Sequence, residues 1–116
     1  MANVLKNLAR SLVATSATQY VTAVNPGTPN NQRITVKRMK VLNINAAGGT
    51  ASTVSVWAGT AATDAFALVK AINLNGGEAL EWDATTIILE PGESIYAQAG
   101  TASTLNITVD GLRQTE

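Results

Sequence analysis

The residues that most often carry acid–base or nucleophilic chemistry are missing from this chain of 116 residues. It contains no cysteine and no histidine, which excludes Cys–His and Ser–His nucleophiles and metal sites built from thiolates or imidazoles. A Ser–Lys pair would need a serine beside a lysine, and no spacing around Lys6 or Lys70 indicates one. We therefore expect a non-enzymatic protein without a cofactor or a metal ion.

Two pairs of carboxylates have spacings that could support chemistry. Glu81 and Asp83 are separated by one residue and would share one face of a strand, and Glu90 and Glu93 flank a Pro-Gly turn. Paired carboxylates can hydrolyse glycosides. Acids at turns and strand edges are more often solvated, and they keep sheet edges from aggregating. We prefer this structural interpretation to a catalytic one.

A run of basic residues lies in a single predicted strand. It consists of Arg33, Lys37, Arg38 and Lys40. Single-stranded nucleic-acid sites usually add aromatic side chains on which bases stack, and none lies between positions 21 and 56. We expect no nucleic-acid binding, and two interpretations remain: a charged strand face, or a surface that docks on an acidic protein.

The charges are unevenly distributed along the chain. Eight basic and eight acidic residues give a net charge of zero, yet every charged residue before Asp64 is basic and all the acids follow. This pattern is compatible with internal pairing across a sheet, or with a dipolar subunit that packs against its own copies or an acidic partner. The charged fraction of 14% is low and indicates a surface that lies against other subunits.

Two tryptophans occupy positions where a polar residue is expected. Trp57 interrupts the polar side of an alternating strand, and Trp82 lies between Glu81 and Asp83. Exposed tryptophans are typical of interfaces, so we expect both residues at a subunit interface. The alternative is that other segments of the same chain cover them.

Strands must position all of these side chains. The chain contains eight or nine short stretches of strand-like alternation, with turn signals roughly every ten residues. This spacing predicts an all-β fold, namely an antiparallel sandwich, a jelly roll or a barrel, and of these we prefer a jelly-roll-like antiparallel β-sandwich. The predicted strands cover residues 19–24, 33–45, 53–58, 65–69, 71–74, 79–82, 85–89, 94–99 and 104–112.

The long strand over 33–45 changes the parity of its apolar residues. They fall first on even positions (34 and 36), then on odd ones (39 and 41), then on even ones again (42 and 44). A regular strand cannot change parity without an extra residue. We predict one bulge near Lys37-Arg38 and a second irregularity near Val41-Leu42.

Residues 1–15 are predicted to form an extended N-terminal arm, and 16–116 a single β-sandwich domain. Val4, Leu5, Leu8 and Leu12 recur at helical spacing, although 10–15 could also begin a strand. No apolar run is long enough for a signal peptide or a membrane span. We expect a protein that is made in the cytoplasm, is used without crossing a membrane and has no membrane partner.

The order of these segments resembles that of small β-sandwich proteins of tailed bacteriophage virions, most of all the capsid decoration (cement) proteins. The segments that carry the resemblance are 19–23, the strand 33–45 with its Leu42-Asn43-Ile44-Asn45 end, 53–57, the Asn75-Gly76-Gly77-Glu78 turn, 88–97 and Val109-Asp110-Gly111.

The resemblance implies a jelly-roll-like homo-oligomer, most often a trimer, on the outer surface of the capsid. Such a protein clamps adjacent subunits of the major capsid protein against the pressure of the packaged DNA. The arm would reach the capsid. Its apolar anchors would be Val4, Leu5, Leu8 and Leu12, and its bases Lys6 and Arg10 would meet an acidic surface.

Two other functions remain open from the sequence. The first is a structural component of the tail, neck or baseplate. The second belongs to another class: a carbohydrate-binding module that uses Trp57, Trp82 or Tyr96 as a stacking platform.

Overall fold

The computed structural model of the chain describes residues 6–27 and 30–115, and for residues 84–86 it describes the backbone alone. Alternating β-branched and leucine residues form eight strands, as expected for half-buried segments. The strands are β1 (Lys6–Leu12), β2 (Thr18–Thr22), β3 (Gln32–Asn43), β4 (Ser52–Gly59), β5 (Ala67–Leu74), β6 (Ala79–Leu89), β7 (Ser94–Ala99) and β8 (Leu105–Thr115). A 3-10 turn over Asp64–Phe66 precedes β5.

The strands form two four-stranded antiparallel sheets. The first sheet has the order β1-β8-β3-β6, and the second has the order β2-β7-β4-β5. The first strand thus pairs with the last, the second with the seventh, the third with the sixth and the fourth with the fifth. This nested pairing is the jelly-roll arrangement of two Greek keys. The predicted all-β sandwich is confirmed.

The core lies between the two sheets. Inward residues alternate with outward ones along each strand, and the fully buried side chains are almost all aliphatic. The largest are Ile34, Met39, Leu89, Ile95, Leu105 and Ile107. Burial of such side chains supplies the main favourable free energy of folding, which lets this chain fold without disulfide bonds.

The parity change in β3 has one physical origin. Against β8, Val36 pairs with Gly111 and Arg38 with Asp110, which leaves Lys37 as the extra residue of a bulge. The register with β6 shifts at the same place. The predicted bulge is confirmed. The predicted irregularity at Val41-Leu42 is wrong, because both residues keep regular partners and the outward side chains Leu42 and Ile44 are simply left partly or largely exposed.

The segment predicted as an arm belongs to the first sheet over most of its described length. Lys6–Leu12 forms the edge strand β1 alongside β8, and Val13 is buried in the core. The amide of Val13 donates to the carbonyl of Leu105 at 2.9 Å. The extended conformation is therefore as predicted, but a strand of the sheet replaces a free arm, because its backbone pairs with β8. Residues 1–5 lie outside the described residues.

Two predicted pairs of short strands are single longer strands. The segments 65–69 and 71–74 are largely covered by β5, which continues through Ala71 at a positive φ of 50°. The segments 79–82 and 85–89 are joined in β6.

Candidate functional site

Four loops meet at one end of the sandwich. They connect β1 to β2 (13–17), β3 to β4 (44–51), β5 to β6 (75–78) and β7 to β8 (100–104). The antiparallel registers bring the ends of β1, β3, β5 and β7 to this side of the molecule. We call these four loops the neutral tip.

The neutral tip consists of small and uncharged residues with one exception. Glu78 is the only charged residue in the four loops, and its carboxylate accepts a hydrogen bond from the Asn75 amide at 2.7 Å within its own turn. Ile44 is 50% exposed here, and Leu12, at the end of β1, is 51% exposed. A groove of about 310 Å³ runs beside Leu12, between residues 13–15 and 102–103.

Hydrogen bonds between the loops make the tip rigid. Asn43, at the end of β3, is fully buried and donates from Nδ2 to the carbonyls of Thr50 at 2.9 Å and Leu74 at 3.0 Å. Its Oδ1 accepts from the amide of Asn45 at 3.0 Å. Asn43 thereby ties the first sheet to the last residue of β5 in the second sheet.

Close backbone contacts add to this rigidity. A methyl group on Gly76 would overlap the carbonyl of Ala46, so the 75–78 turn packs directly on the 44–51 loop. The amide of Ile44 donates to the carbonyl of Thr104 at 2.9 Å, which joins the 44–51 loop to the 100–104 loop. The tip is therefore a preformed surface.

Sequence reasoning identified three of these loops only as separate turns and assigned residues 13–15 to the N-terminal arm. Their small residues and glycines are typical of any turn, and nothing local shows that four of them converge. If the jelly-roll pairing is assumed, the shared lack of charge in these loops could have been used to predict the tip.

In contrast to the neutral tip, the outer face of the first sheet carries many charged residues. We call it the charged face. Its outward or exposed charges are Arg10 on β1, Asp110 on β8, Arg33, Lys37, Arg38 and Lys40 on β3, Glu81 and Asp83 on β6, and Glu90 directly after β6. In contrast, the only charged residue in any strand of the second sheet is Lys70.

The basic run in β3 is neutralised largely within the chain. Arg38 lies 3.5 Å from Asp83, and Lys40 lies 4.0 Å from Glu81, in both cases directly across to β6. A shallow groove of about 250 Å³ lies between these two strands.

At the far end of β3, Arg33 binds Glu90 at 2.9 Å. Lys37, in the bulge, has no acidic partner among the described residues. Internal pairing across the sheet, one of the two interpretations that the sequence left open, accounts for three of the four bases.

The predicted arm residues have different surroundings. Lys6 and Arg10 are exposed, and neither has an acidic partner in the described part of the chain. Leu8 packs against the core above Gly111, so it is not available as an anchor for a partner. Leu12 is exposed. Val4 and Leu5 lie outside the described residues.

Trp57 is buried and Trp82 is partly buried. Trp57 points outward from the second sheet but is only 6% exposed, and its Nε1 has no hydrogen-bond partner among the described residues. The turn that precedes β5 packs on the same strand, with the ring of Phe66 against Gly59. Trp82 packs against the core opposite Met39.

Tyr96 is half-buried as well. Its hydroxyl accepts from Nε2 of Gln19 at 3.1 Å and donates to the carbonyl of Thr60 at 3.2 Å. A stacking platform needs an exposed ring, and all three of these rings are at least partly buried.

Within residues 6–27 and 30–115, no group of three acidic side chains could hold a metal ion. In the same residues, no helix has the length and apolar character that a membrane crossing requires. The described residues thus present two distinct surfaces, the neutral tip and the charged face.

Comparison with known proteins adds no family to this description. No family model, curated protein or solved structure matches the chain.

Proposed function

We propose that the protein is a non-enzymatic structural component of a tailed-phage virion, where it binds the outside of the capsid and clamps neighbouring major capsid subunits. The neutral tip is the surface that makes this contact. One observation carries the proposal: four loops converge on a nearly uncharged surface that is held rigid by buried hydrogen bonds.

Two general features support a docking role for the tip. The cores of protein interfaces are depleted of charged residues, and a preformed surface loses little conformational entropy on binding. The segment order that resembles decoration proteins directs the proposal to a capsid. Jelly rolls also build viral capsids, lectins and cupins, so the fold by itself does not choose among these roles.

The tip replaces the arm and the basic strand as the proposed contact surface. The bases of β3 are largely paired with acids of β6, and an acidic partner would have to displace these acids. The arm is mostly β1, so its deletion would remove a strand from the sheet and would not test binding alone.

Co-sedimentation with empty capsids of the phage that encodes the chain tests the proposal. We expect the unaltered protein to pellet with the capsids. Ile44→Asp should abolish this binding, because it places a charge in a neutral interface that excludes water. Val24→Asp is the matched control, since Val24 is 45% exposed in the 23–31 loop at the opposite end of the sandwich. Equal binding by Ile44→Asp and the unaltered protein would contradict the assignment of the tip.

The copy number in purified virions tests the location. A decoration protein should be present in a fixed ratio to the major capsid protein, as measured by quantitative mass spectrometry. A few copies per particle would instead favour the tail, neck or baseplate role.

A further inference from the structure

The charges on the charged face alternate in sign from strand to strand. Arg10 on β1 is positive, Asp110 on β8 is negative, Arg38 on β3 is positive and Asp83 on β6 is negative. On this face, each strand thus carries a column of charge of one sign. In the reverse order, from β6 to β1, the sign at each position of the series is inverted. A face of this kind is complementary to itself.

We propose that the charged face binds the same face of a second copy of the chain, through a two-fold axis that runs parallel to the strands between β8 and β3. Rotation about this axis places β1 opposite β6 of the second copy, and β8 opposite its β3. Each column of charge then meets a column of opposite sign. An axis perpendicular to the strands would place each strand opposite itself, and such contacts between like charges are unfavourable.

The strand registers extend this complementarity to individual residues. Arg10, Thr108, Lys40 and Glu81 are register partners in one row across the sheet. Because the rotation leaves the position along the strands unchanged, Arg10 of one copy lies opposite Glu81 of the second copy.

The next row along the strands also brings opposite charges together, here on β8 and β3, the two strands next to the axis. It contains Asn7, Asp110, Arg38 and Asp83. Asp110 of one copy lies opposite Arg38 of the second copy, and the symmetry repeats this pair. Aligned packing of twisted sheets is the common arrangement in sandwiches, so the twist of the sheet does not prevent the contact.

The exposure of the charges leaves them available to a second copy. The side chains of Arg38 and Asp83 are 62% and 66% exposed, and those of Lys40 and Glu81 are 44% and 56% exposed. Arg10 has no acidic partner among the described residues, and the two-fold arrangement provides one.

The size of the face sets the expected strength of the pair. Four strands about 4.8 Å apart, with about ten residues each at about 3.3 Å per residue, cover roughly 630 Å². A pair would bury about twice this area, which is close to the lower limit of roughly 1,200 Å² for stable complexes. We expect a dimer that dissociates on dilution and at high salt, where surface charges are screened.

The inference does not depend on the proposed function, but it is compatible with it. An axis parallel to the strands leaves both neutral tips at the same end of the pair. Both copies could then contact one surface.

Sedimentation velocity over a concentration series tests the pairing. The unaltered protein should form a dimer, and Arg10→Glu and Glu81→Arg should each weaken that dimer at least about tenfold by placing like charges in contact. The double variant should restore it. Arg10 and Glu81 lie on the two outermost strands, about 14 Å apart within one chain, so contacts within one chain cannot explain a rescue.

Lys70→Glu is the matched control. It makes the same change of charge as Arg10→Glu, on the edge strand of the second sheet, and it breaks an exposed pair with Asp64 at 2.8 Å. The dimer should be unaffected. Circular dichroism will show whether each variant is folded. If a charge-reversal variant does not fold, the neutral variants Arg10→Gln and Glu81→Gln are used in its place.

Three results would overturn the inference: a monomer at every concentration, a dimer that neither single variant weakens, or a trimer. A trimer would contradict it because a self-complementary face closes on a two-fold axis only. A failure here would leave the capsid-binding result untouched, since that experiment depends on Ile44.

Discussion

At the neutral tip, Asn43 is fully buried and bound by neutral partners at 2.9–3.0 Å. On the charged face, Arg38 and Asp83 are 3.5 Å apart, and most of both side chains is in solvent. The two regions therefore satisfy their polar groups in opposite ways. Buried neutral hydrogen bonds are costly to remove, whereas exposed ion pairs contribute little to stability.

This difference suggests a division of roles. The tip cannot rearrange without leaving buried groups unpaired, so it suits a fixed docking surface. The charges of the face can exchange their partners at little cost, so they suit contact with a second copy. Substitutions can test both halves of this comparison.

The largest expected effect concerns a residue that belongs to neither region. Trp57→Ala should lower the free energy of unfolding by about 3–5 kcal/mol, the usual cost of removing a buried tryptophan. Trp57→Phe should cost clearly less, because it keeps most of the ring and removes the unpaired Nε1–H. Chemical denaturation measures both. A loss of self-association in Trp57→Ala with unchanged stability would mean that Trp57 is an interface residue.

Asn43→Leu should destabilise the protein by about 2–4 kcal/mol, because it removes the side-chain donor to the carbonyl of Leu74 and leaves that of Thr50 with only the side-chain amide of Asn45 at 3.3 Å. Asn106→Leu is the same change on the charged face, where the side chain has no hydrogen-bond partner among the described residues, and it should cost less than about 0.5 kcal/mol. Urea denaturation of both variants measures the difference. Similar losses of unfolding free energy in the two variants would show that hydrogen bonds constrain the tip no more than the charged face.

Gly111→Ala should cost about 1–3 kcal/mol through overpacking. An added methyl group would overlap the carbonyl of Thr35 in β3, beneath the charged face. Gly100→Ala, at the tip, would meet the hydroxyl of Thr53, which can rotate away. In thermal denaturation, the melting temperature of Gly111→Ala should be lower than that of Gly100→Ala. The reverse order would contradict the packing described for β8 against β3.

The smallest expected effect is that of an ion pair on the charged face. Arg33 and Glu90 are 2.9 Å apart, with side chains 43% and 54% exposed. A double-mutant cycle with Arg33→Ala and Glu90→Ala should give a coupling of about 0.2–1 kcal/mol. A coupling above about 2 kcal/mol would show that the face is far less solvated than these exposures indicate, and that its charges are not free to exchange partners.

The sequence predicted those features that local alternation determines. The sandwich class follows from strand length and turn spacing, and the bulge at Lys37 follows from one change of parity. The second predicted irregularity was wrong because the pattern assumes that apolar side chains point inward, whereas Ile44 points outward and is half exposed.

The features that were missed depend on contacts between distant residues. The strand β1 is an edge strand with exposed bases, so its alternation is weak. The pairing of Arg33 with Glu90 requires the register of β3 against β6. Asn43 was recognised only as part of a motif, and its role as the buried link between the sheets depends on Leu74, in another strand.

Cryo-electron microscopy of the intact virion tests the central claim most directly. We expect jelly-roll density outside the capsid shell, with the neutral tip against the major capsid protein and the charged faces of two copies in contact with each other. Density with the charged face against the shell, or no density for the protein on the particle, would contradict it.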